Sequence, residues 1–247
     1  MLMLKADAYG HGMLEVANAT DGIVDAFGVA TLEEGLKLRR NGIENDILVL
    51  ALAPSELYCA VKNGLTIGLA NVIQLDMLER LIAADVIGAK EIKLHIALDS
   101  GMHRLGFIES QLNIALAKLK ELGIEVEGVY SHLRVRSYKQ IYAFERMSAA
   151  VCKQYPDAIK HLAASHTACV KRIRYDMVRA GIHAYAGAMR VESNVIAVRR
   201  VDKGEHISYG DYVIKKPTNT AVVFGGYADG VCRERPSSVY IRGVECK

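Results

Sequence analysis

The stretch K-A-D-A-Y-G-H-G at residues 5–12 contains one side chain that could take part in catalysis, the amine of Lys5. It follows a short apolar run, Met1–Leu4, that is typical of the end of a buried strand, and Gly10 and Gly12 then interrupt the pattern. Lys5 is therefore predicted at the carboxyl end of a strand, where α/β proteins keep their catalytic groups. Such a lysine is a candidate nucleophile, and the alternative is a solvated surface lysine.

Other polar side chains also follow predicted strands, namely Arg104, His132, Ser165 and Arg179. The carboxyl ends of the strands in a barrel share one face, so we expect these residues to converge with Lys5. A lysine forms Schiff bases, arginines bind carboxylate or phosphate, and a histidine relays a proton, so the set suits an anionic cofactor. Structural interpretations stay open. Arg104 could form an ion pair with Asp99. His132 could be a buried histidine whose hydrogen bonds are made within the core, and Ser165 could be the N-cap of a helix.

Short apolar runs alternate with helical patterns through residues 1–187, which is typical of a parallel sheet. Eight strands are predicted, at Leu2–Lys5, Ala26–Ala30, Asp46–Ala51, Thr66–Ala70, Lys93–Asp99, Glu127–His132, His161–Ser165 and Met177–Ile182. Between two of them, Thr31 and Glu34 form a predicted capping box. We expect an α/β fold in which these units close into a (β/α)8 TIM barrel. A doubly wound sheet is the alternative, but no G-x-G-x-x-G turn follows the first strand.

Residues 188–247 follow a different pattern, in which strand-like runs are separated by turns and no helical stretch intervenes. The predicted strands are Val195–Val201, His206–Ile214, Thr220–Phe224 and Ser238–Arg242. We expect a small, incomplete β domain. Because the chain starts within one predicted strand and stops directly after another, we also expect it to be trimmed at both ends.

Composition narrows the class of function. The 31 Lys and Arg nearly balance the 28 Asp and Glu, which argues against a nucleic-acid partner or a membrane-seeking surface. The five cysteines include no C-x-x-C pair, which favours a reducing, cytoplasmic location. No apolar run approaches the ~18 residues of a membrane span, and no signal peptide is recognised. His161 and His166 lie outside any H-E-x-x-H motif, so we expect no metal site.

Five blocks of sequence occur in an order that indicates one family. Residues 5–12 match a cofactor-lysine motif, residues 99–107 (D-S-G-M-H-R-L-G-F) a D-[TS]-G-M-x-R-x-G block, and residues 176–182 (D-M-V-R-A-G-I) an M-V-R-x-G-I block. In the β domain, residues 207–210 (I-S-Y-G) and 226–230 (G-Y-A-D-G) match two further blocks. Over nearly its whole length the chain resembles the fold-type III, pyridoxal-phosphate-dependent alanine racemases.

The resemblance implies that Lys5 holds pyridoxal phosphate and serves as one catalytic base. Tyr209 would be the opposite base, contributed by the other subunit of a homodimer. Racemisation removes a proton from one face of the substrate Cα and delivers another to the opposite face, so two groups on opposite sides are required. The implied activity interconverts L- and D-alanine. Serine or a broader range of small amino-acid substrates is the close alternative.

The remaining implied roles concern binding. Arg179 would face the pyridine nitrogen of the cofactor, and because a guanidinium does not give up its proton, that nitrogen would stay unprotonated. His132 would link Arg179 to Tyr209. Arg104 would lie by the phenolic oxygen of the cofactor and the substrate carboxylate. The implied ligands of the cofactor phosphate are Tyr9, Ser165, Gly181 and Ile182.

Three departures from the family pattern are visible in the sequence. Ala97 stands where many members have a lysine that props Arg104 into position. The segment between His132 and Phe144 is shorter than in the family, and the chain ends before the family's C-terminal block. A second hypothesis is therefore a remnant or regulatory barrel that binds pyridoxal phosphate without turnover.

Overall fold

The computed structural model describes residues 1–134, 137–209, 211–232 and 238–246. The chain divides into two compact units, Met1–Met189 and Arg190–Lys247. This division lies two residues after the boundary expected from the sequence. Each unit is described by itself.

The first unit is built on a parallel sheet of seven strands whose spatial order follows the chain. The strands are β1 (Leu2–Met3), β2 (Ala26–Val29), β3 (Asp46–Val49), β4 (Thr66–Leu69), β5 (Leu94–Ala97), β6 (Gly128–Tyr130) and β7 (Ile159–His161). β7 begins two residues before its predicted start and ends early. It ends early because the Ala164 N–H donates to Thr167 Oγ1 at 3.0 Å, and a 3-10 helix follows at Ser165–Thr167.

The eighth predicted strand, Met177–Ile182, closes the barrel through isolated bridges instead of a full ladder. On one side the Met3 N–H donates to Ala180 O at 2.7 Å, next to β1. On the other side the Arg179 N–H donates to Ala163 O at 3.0 Å, just beyond β7. The (β/α)8 TIM-barrel prediction is confirmed. The correction is that the last strand is reduced to bridges, because a 3-10 helix begins at its end.

Helices alternate with the strands along the chain. They are α1 (Lys5–Gly10), α2 (Met13–Thr20), α3 (Leu32–Arg40), α4 (Leu57–Lys62), α5 (Val72–Ala83), α6 (Glu109–Glu121) and α7 (Tyr138–Gln154), with short 3-10 helices at Pro54–Glu56, Ala89–Glu91, Ser165–Thr167, Lys171–Ile173 and Ile182–Tyr185. The predicted capping box of α3 is confirmed, since the Glu34 N–H donates to Thr31 Oγ1 and the Thr31 N–H donates to the Glu34 carboxylate. None of the described helices is long and apolar enough to cross a membrane.

Successive side chains of a β-strand point to opposite faces of the sheet, so alternate residues pack into two different cores. In β1 and just after it, Leu2 and Leu4 join the large core beneath the helices, whereas Met1 and Met3 join a smaller cluster. That smaller cluster is completed by Ala26, Leu48, Ala70, Ala97 and Tyr130. These side chains fill the inside of the barrel.

The second unit contains two small antiparallel sheets. β8 (Val195–Val201) pairs with β9 (Thr218–Val223), and β10 (Val239–Ile241) pairs with β11 (Val244–Cys246). A 3-10 helix at Tyr227–Asp229 follows β9. The expected small β domain is confirmed, but the predicted strand His206–Ile214 is wrong.

That predicted strand consists of one isolated bridge, between His206 and Val213. Ser208 lies in the left-handed region at φ +61°, so the chain turns back where an extended strand was expected. Gly210, which ends the I-S-Y-G block, lies outside the described residues.

Candidate active site

The barrel brings the predicted site residues of the first unit to the carboxyl ends of its strands. Lys5 begins α1 directly after β1, Arg104 lies in the turn after β5, and His132 follows β6. Ser165 begins the 3-10 helix after β7, and Arg179 lies in the bridged segment that closes the barrel. Because the strands are parallel, these residues share one end of the barrel.

Lys5 enters this end through a turn of unusual handedness. Four consecutive residues that are not glycine, Ala6 to Tyr9, have φ between 52° and 55° and ψ between 35° and 51°, so α1 is a short left-handed helix. This conformation costs each L-residue roughly 1–2 kcal/mol. Contacts from outside the turn hold it, because the Ala6 N–H donates to Glu34 Oε1 at 2.7 Å and the Met13 N–H donates to Asp7 Oδ1 at 2.9 Å.

The end of the left-handed turn forms a cradle with the barrel's closing segment. The Gly181 N–H and the His183 N–H both donate to Ser165 Oγ, at 3.0 and 3.4 Å. A Cβ placed on Gly181 would lie 2.8 Å from Tyr9 Oη and 3.1 Å from Ser165 Oγ, so only glycine leaves this space free. The Ser165 hydroxyl is therefore part of this cradle, and no described hydrogen bond uses it as the helix N-cap considered above.

Aromatic contacts position Tyr9. Its ring centroid lies 5.4 Å from that of Tyr185, and the His11 ring centroid lies 4.8 Å from that of Tyr185, with both pairs of rings tilted. The Tyr185 hydroxyl donates to Met3 O at 2.7 Å, which ties these rings to β1. Burial raises the pKa of Tyr9 above its ordinary value and that of Tyr185 to about 12, so both phenols are neutral donors near pH 7.

Arg179 is buried, and its guanidinium is held by four hydrogen bonds. Nη1 donates to His161 Nδ1 and to His161 O, both at 2.8 Å. Nη2 donates to Ser131 O at 2.5 Å and to Leu162 O at 3.2 Å. Burial lowers the pKa of Arg179 to about 10, while the Tyr130 hydroxyl opposes that shift, so the side chain keeps its charge at neutral pH.

His161, and behind it His95, were not selected as site residues from the sequence. An arginine only donates, so His161 Nδ1 accepts from Arg179 and its hydrogen is on Nε2, which donates to His95 Nδ1 at 2.9 Å. Burial lowers the pKa of His161 well below its ordinary value and that of His95 to about 4, so both rings are neutral. Gly128 permits this contact, since a Cβ there would lie 2.7 Å from the His95 ring.

The signal that the sequence offered for this pair was a histidine within each of two apolar runs, at positions 95 and 161. A histidine inside a buried strand needs a partner, and the sequence did not indicate which.

Arg104 and His132 line a cavity of about 60 Å³ together with Ala97, Tyr130 and Arg179. Burial and then the charges of Arg179, Arg104 and Lys5 lower the pKa of His132 to about 4, so three cationic side chains act on one neutral ring. Among the described residues His132 has no hydrogen bond to Arg179, which is bonded to His161 instead.

Asp99 does not form the ion pair with Arg104 that was considered from the sequence. Its Oδ1 accepts the backbone N–H groups of Gly101, Met102 and His103 at 2.9–3.0 Å, which shapes the turn that carries Arg104. Burial would raise the pKa of Asp99, but the backbone donors outweigh it and hold that pKa below its ordinary value. Within the described part of the chain, Arg104 has no acidic partner.

Tyr209 belongs to the second unit, where its side chain is fully exposed. Ile182, at the start of a 3-10 helix in the first unit, is 55% exposed. The structure thus brings together Tyr9, Ser165 and Gly181 in one cradle, and Arg104, His132 and Arg179 around one cavity.

Comparison with known proteins gives a consistent result. The family model described as "Alanine racemase, N-terminal domain" matches residues 1–188, and the one described as "Alanine racemase, C-terminal domain" matches residues 188–247. An alanine racemase of Streptococcus pyogenes serotype M5 is 31% identical, and one of Salinispora tropica is 34% identical. Each alignment covers 99% of this chain and 73% of the relative.

Solved structures agree with this assignment. The alanine racemase of a D-cycloserine-producing Streptomyces lavendulae superposes with a TM-score of 0.87 at 26% identity, over 99% of this chain and 72% of that one. The biosynthetic alanine racemase of Pseudomonas aeruginosa superposes with a TM-score of 0.83 at 28% identity, over 99% and 74% of the two chains. Since the two family models together span its whole length, the chain belongs to the alanine racemase family, the isomerases that act on amino acids.

Proposed function

We propose that this chain is a pyridoxal-phosphate-dependent racemase that interconverts L- and D-alanine by a two-base mechanism. The observation that supports it best is the convergence of the Tyr9, Ser165 and Gly181 cradle with a buried, charged Arg179 at the barrel end where Lys5 emerges. Family membership gives the reaction type, whereas the cofactor, the bases and the substrate are assigned from the residues.

The cradle fits a phosphate group. The space that a Cβ would fill at Gly181 lies between two hydroxyl donors, and the backbone N–H groups of the 3-10 helix at Ile182–Tyr185 begin at its edge. Hydroxyls and backbone N–H groups that point into one concavity are typical phosphate ligands. Tyr9, Ser165, Gly181 and Ile182 would hold the phosphate, and Lys5 would bind the cofactor's carbonyl carbon.

Arg179 fits the pyridine nitrogen of that cofactor. When bound, pyridoxal phosphate supplies a conjugated ring that stabilises negative charge developing at the substrate Cα. Four hydrogen bonds fix the guanidinium, and it keeps its protons at neutral pH. It would therefore donate to the ring nitrogen without transferring a proton, which limits charge withdrawal by the ring and favours prompt reprotonation of Cα.

The proton transfers require two bases on opposite faces of the substrate Cα. Lys5 would serve one face, and Tyr209, supplied by the partner subunit of a homodimer, would serve the other. The full exposure of Tyr209 is consistent with this assignment, since its side chain is not used by its own unit's core.

His132 and Arg104 complete the proposed catalytic end. His132 is a neutral ring whose pKa is lowered to about 4, so it would accept a hydrogen bond from Tyr209, while Arg179 stays bonded to His161. Arg104 has no acidic partner among the described residues, and its charge would bind the substrate carboxylate. The five cysteines are unpaired, which supports a cytoplasmic location in which thiols stay reduced.

One experiment tests the cofactor assignment. The purified chain is mixed with pyridoxal phosphate, reduced with borohydride and digested, and the mass increase is mapped. We expect a visible absorbance that borohydride removes and a label on Lys5. Lys5→Ala abolishes the label, whereas Lys62→Ala, which removes an exposed lysine paired with Glu91, retains it. Absence of colour with added cofactor refutes both the racemase and the cofactor-binding remnant.

A second experiment tests turnover and the two bases. Solvent deuterium is followed into the α position of L-alanine and of D-alanine. Exchange from both enantiomers is expected, and colour without exchange favours the remnant. We expect Tyr209→Phe to impair exchange from one enantiomer more than from the other, with Tyr212→Phe as the neighbouring control. Equal losses in both directions contradict the two-base assignment.

A further inference from the structure

The carboxylate of Glu34 binds more of the backbone than a helix cap requires. Glu34 lies in the first turn of α3, and its Oε2 accepts the Ala30 N–H at 2.7 Å and the Thr31 N–H at 3.2 Å. A capping box uses the carboxylate only for the N–H of the N-cap residue. The other oxygen, Oε1, accepts the Ala6 N–H at 2.7 Å, from a residue 28 positions away in the chain. This contact lies outside the cap.

The same carboxylate joins the ends of two neighbouring strands. β1 and β2 are parallel partners, and the Leu4 N–H donates to Gly28 O at 2.8 Å. The next bond of a parallel ladder would run from the Ala30 N–H to Leu4 O. Leu4 O accepts the Ala8 N–H at 2.7 Å instead, and the Ala30 N–H donates to Glu34. Glu34 therefore connects the two strands at the point where their ladder ends.

The Ala6 N–H belongs to the peptide bond that leaves Lys5. Ala6 is the first of the four residues with positive φ, and Lys5 is not one of them, so the handedness of the backbone changes across this peptide. A peptide bond is planar, so a hydrogen bond to its N–H fixes the orientation of the whole unit. Glu34 thus constrains the backbone from which the Lys5 side chain extends.

The charge of Glu34 serves these backbone contacts. Within the described residues its carboxylate has no ion-pair partner, and it accepts from three N–H groups at the start of a helix, where the dipole favours an anion. Hydrogen bonds to a charged acceptor are stronger than neutral ones. Ala6 is exposed, so water could also bind its N–H. The contact with Glu34 therefore restricts the direction of this N–H in a way that solvent does not.

We propose that Glu34 is a positioning residue for Lys5, and that by holding the peptide between Lys5 and Ala6 it places the amine to react with the carbonyl carbon of the cofactor. This inference rests on the cofactor assignment proposed above. In that reaction the free amine Nζ bonds to the carbonyl carbon, and the carbonyl oxygen leaves as water with the two amine protons. Glu34 acts on this step through the backbone alone.

Three variants separate this role from a purely structural one. In Glu34→Gln the amide keeps one acceptor oxygen and replaces the other with a donor, so it cannot accept from both Ala6 and Ala30. Glu33→Gln removes the same charge from the same turn of α3, at an exposed position. Thr31→Ala removes the hydroxyl that accepts the Glu34 N–H at 3.4 Å, which weakens the cap but leaves the contact with Ala6.

The test follows the absorbance of each whole chain after mixing with pyridoxal phosphate, and borohydride reduction with peptide mapping identifies the product at Lys5. Glu34→Gln should slow formation of this product about tenfold, or about 1.4 kcal/mol in activation free energy. Glu33→Gln should keep the rate of the unmodified chain. Thr31→Ala should also keep that rate, although it lowers the melting temperature.

A second measurement needs no cofactor. Because Ala6 is exposed, its amide is protected from hydrogen exchange only if it is hydrogen-bonded. Exchange followed by NMR should show protection of this amide in the unmodified chain, in Glu33→Gln and in Thr31→Ala. The protection should be lost in Glu34→Gln.

The proposal is overturned by an unchanged rate in Glu34→Gln, by an equal loss of rate in Glu33→Gln or Thr31→Ala, or by an unprotected Ala6 amide in the unmodified chain. The last measurement needs no variant, so it decides if Glu34→Gln does not fold. Absence of colour in the unmodified chain refutes the cofactor assignment itself. Colour with an unchanged rate in Glu34→Gln refutes only the positioning role.

Discussion

The methyl group of Ala6 provides a direct test of the left-handed turn that delivers Lys5. Ala6 is exposed, with φ 53° and ψ 51°, and its N–H donates to Glu34. Replacing it with glycine removes no buried contact and keeps this hydrogen bond. The change therefore isolates the backbone conformation from packing.

Two terms of opposite sign set the expected change in the free energy of unfolding. Glycine relieves roughly 1–2 kcal/mol of left-handed strain. It also increases the entropy of the unfolded chain, which is unfavourable by about 0.4–1 kcal/mol. The difference is a stabilisation of about 0.8 kcal/mol, which corresponds to a rise in melting temperature of roughly 2–3 °C for a protein of this size.

The matched control is the same substitution in a right-handed helix. Ala117 is exposed within α6. Ala117→Gly should therefore lower stability by about 1 kcal/mol, with a fall in melting temperature of roughly 2–4 °C. Thermal unfolding followed by circular dichroism measures both variants. If Ala6→Gly lowers the melting temperature as Ala117→Gly does, the turn does not have the handedness described here.

Gly181→Ala places a methyl 2.8 Å from Tyr9 Oη and 3.1 Å from Ser165 Oγ. Pyridoxal phosphate affinity, measured by absorbance titration, should therefore fall at least tenfold. Unchanged affinity contradicts the cradle. In Arg179→Lys, the lysine amine cannot reach the four acceptors that the guanidinium binds. This variant should therefore lower the free energy of unfolding, measured by urea titration, by about 3 kcal/mol. The control Arg172→Lys, at an exposed position, should change that free energy by less than about 0.5 kcal/mol. The folded-state pKa of His95, about 4, lies below its unfolded value, so its stabilisation is present above about pH 6.5 and is lost as pH falls toward 4. In urea titrations, His95 should lower the free energy of unfolding by about 2 kcal/mol between pH 7 and pH 5. His95→Gln should make the free energy of unfolding depend less on pH. If the pH dependence is the same in His95→Gln, the lowered pKa of His95 is contradicted.

Much of the fold was predictable because local patterns determine it. Alternating apolar runs and helical stretches predicted the barrel, and Thr31 with Glu34 predicted the start of α3. Two of the predicted strands were found as isolated bridges and not as ladders. Residues 177–182 form bridges to both neighbours before a 3-10 helix begins, and Ser208 at positive φ reverses the segment predicted as an extended strand.

The sequence by itself determined the family and the residues that converge, since ordered motifs and parallel strand ends are both readable along the chain. It could not determine hydrogen-bond partners that are distant in sequence. Arg179 binds His161, 18 residues away, and Ser131, 48 residues away. Only the closed barrel brings these groups together.

The handedness of the turn at residues 6–9 was likewise decided by tertiary structure. Alanine, aspartate and tyrosine favour right-handed conformations in isolation, because Cβ crowds the carbonyl oxygen in the left-handed one. Here α3 supplies Glu34 to the Ala6 N–H, and the ring of Tyr185 packs against Tyr9. The sequence thus placed Lys5 after a strand, whereas contacts from distant elements determined the left-handed conformation of the turn that follows Lys5.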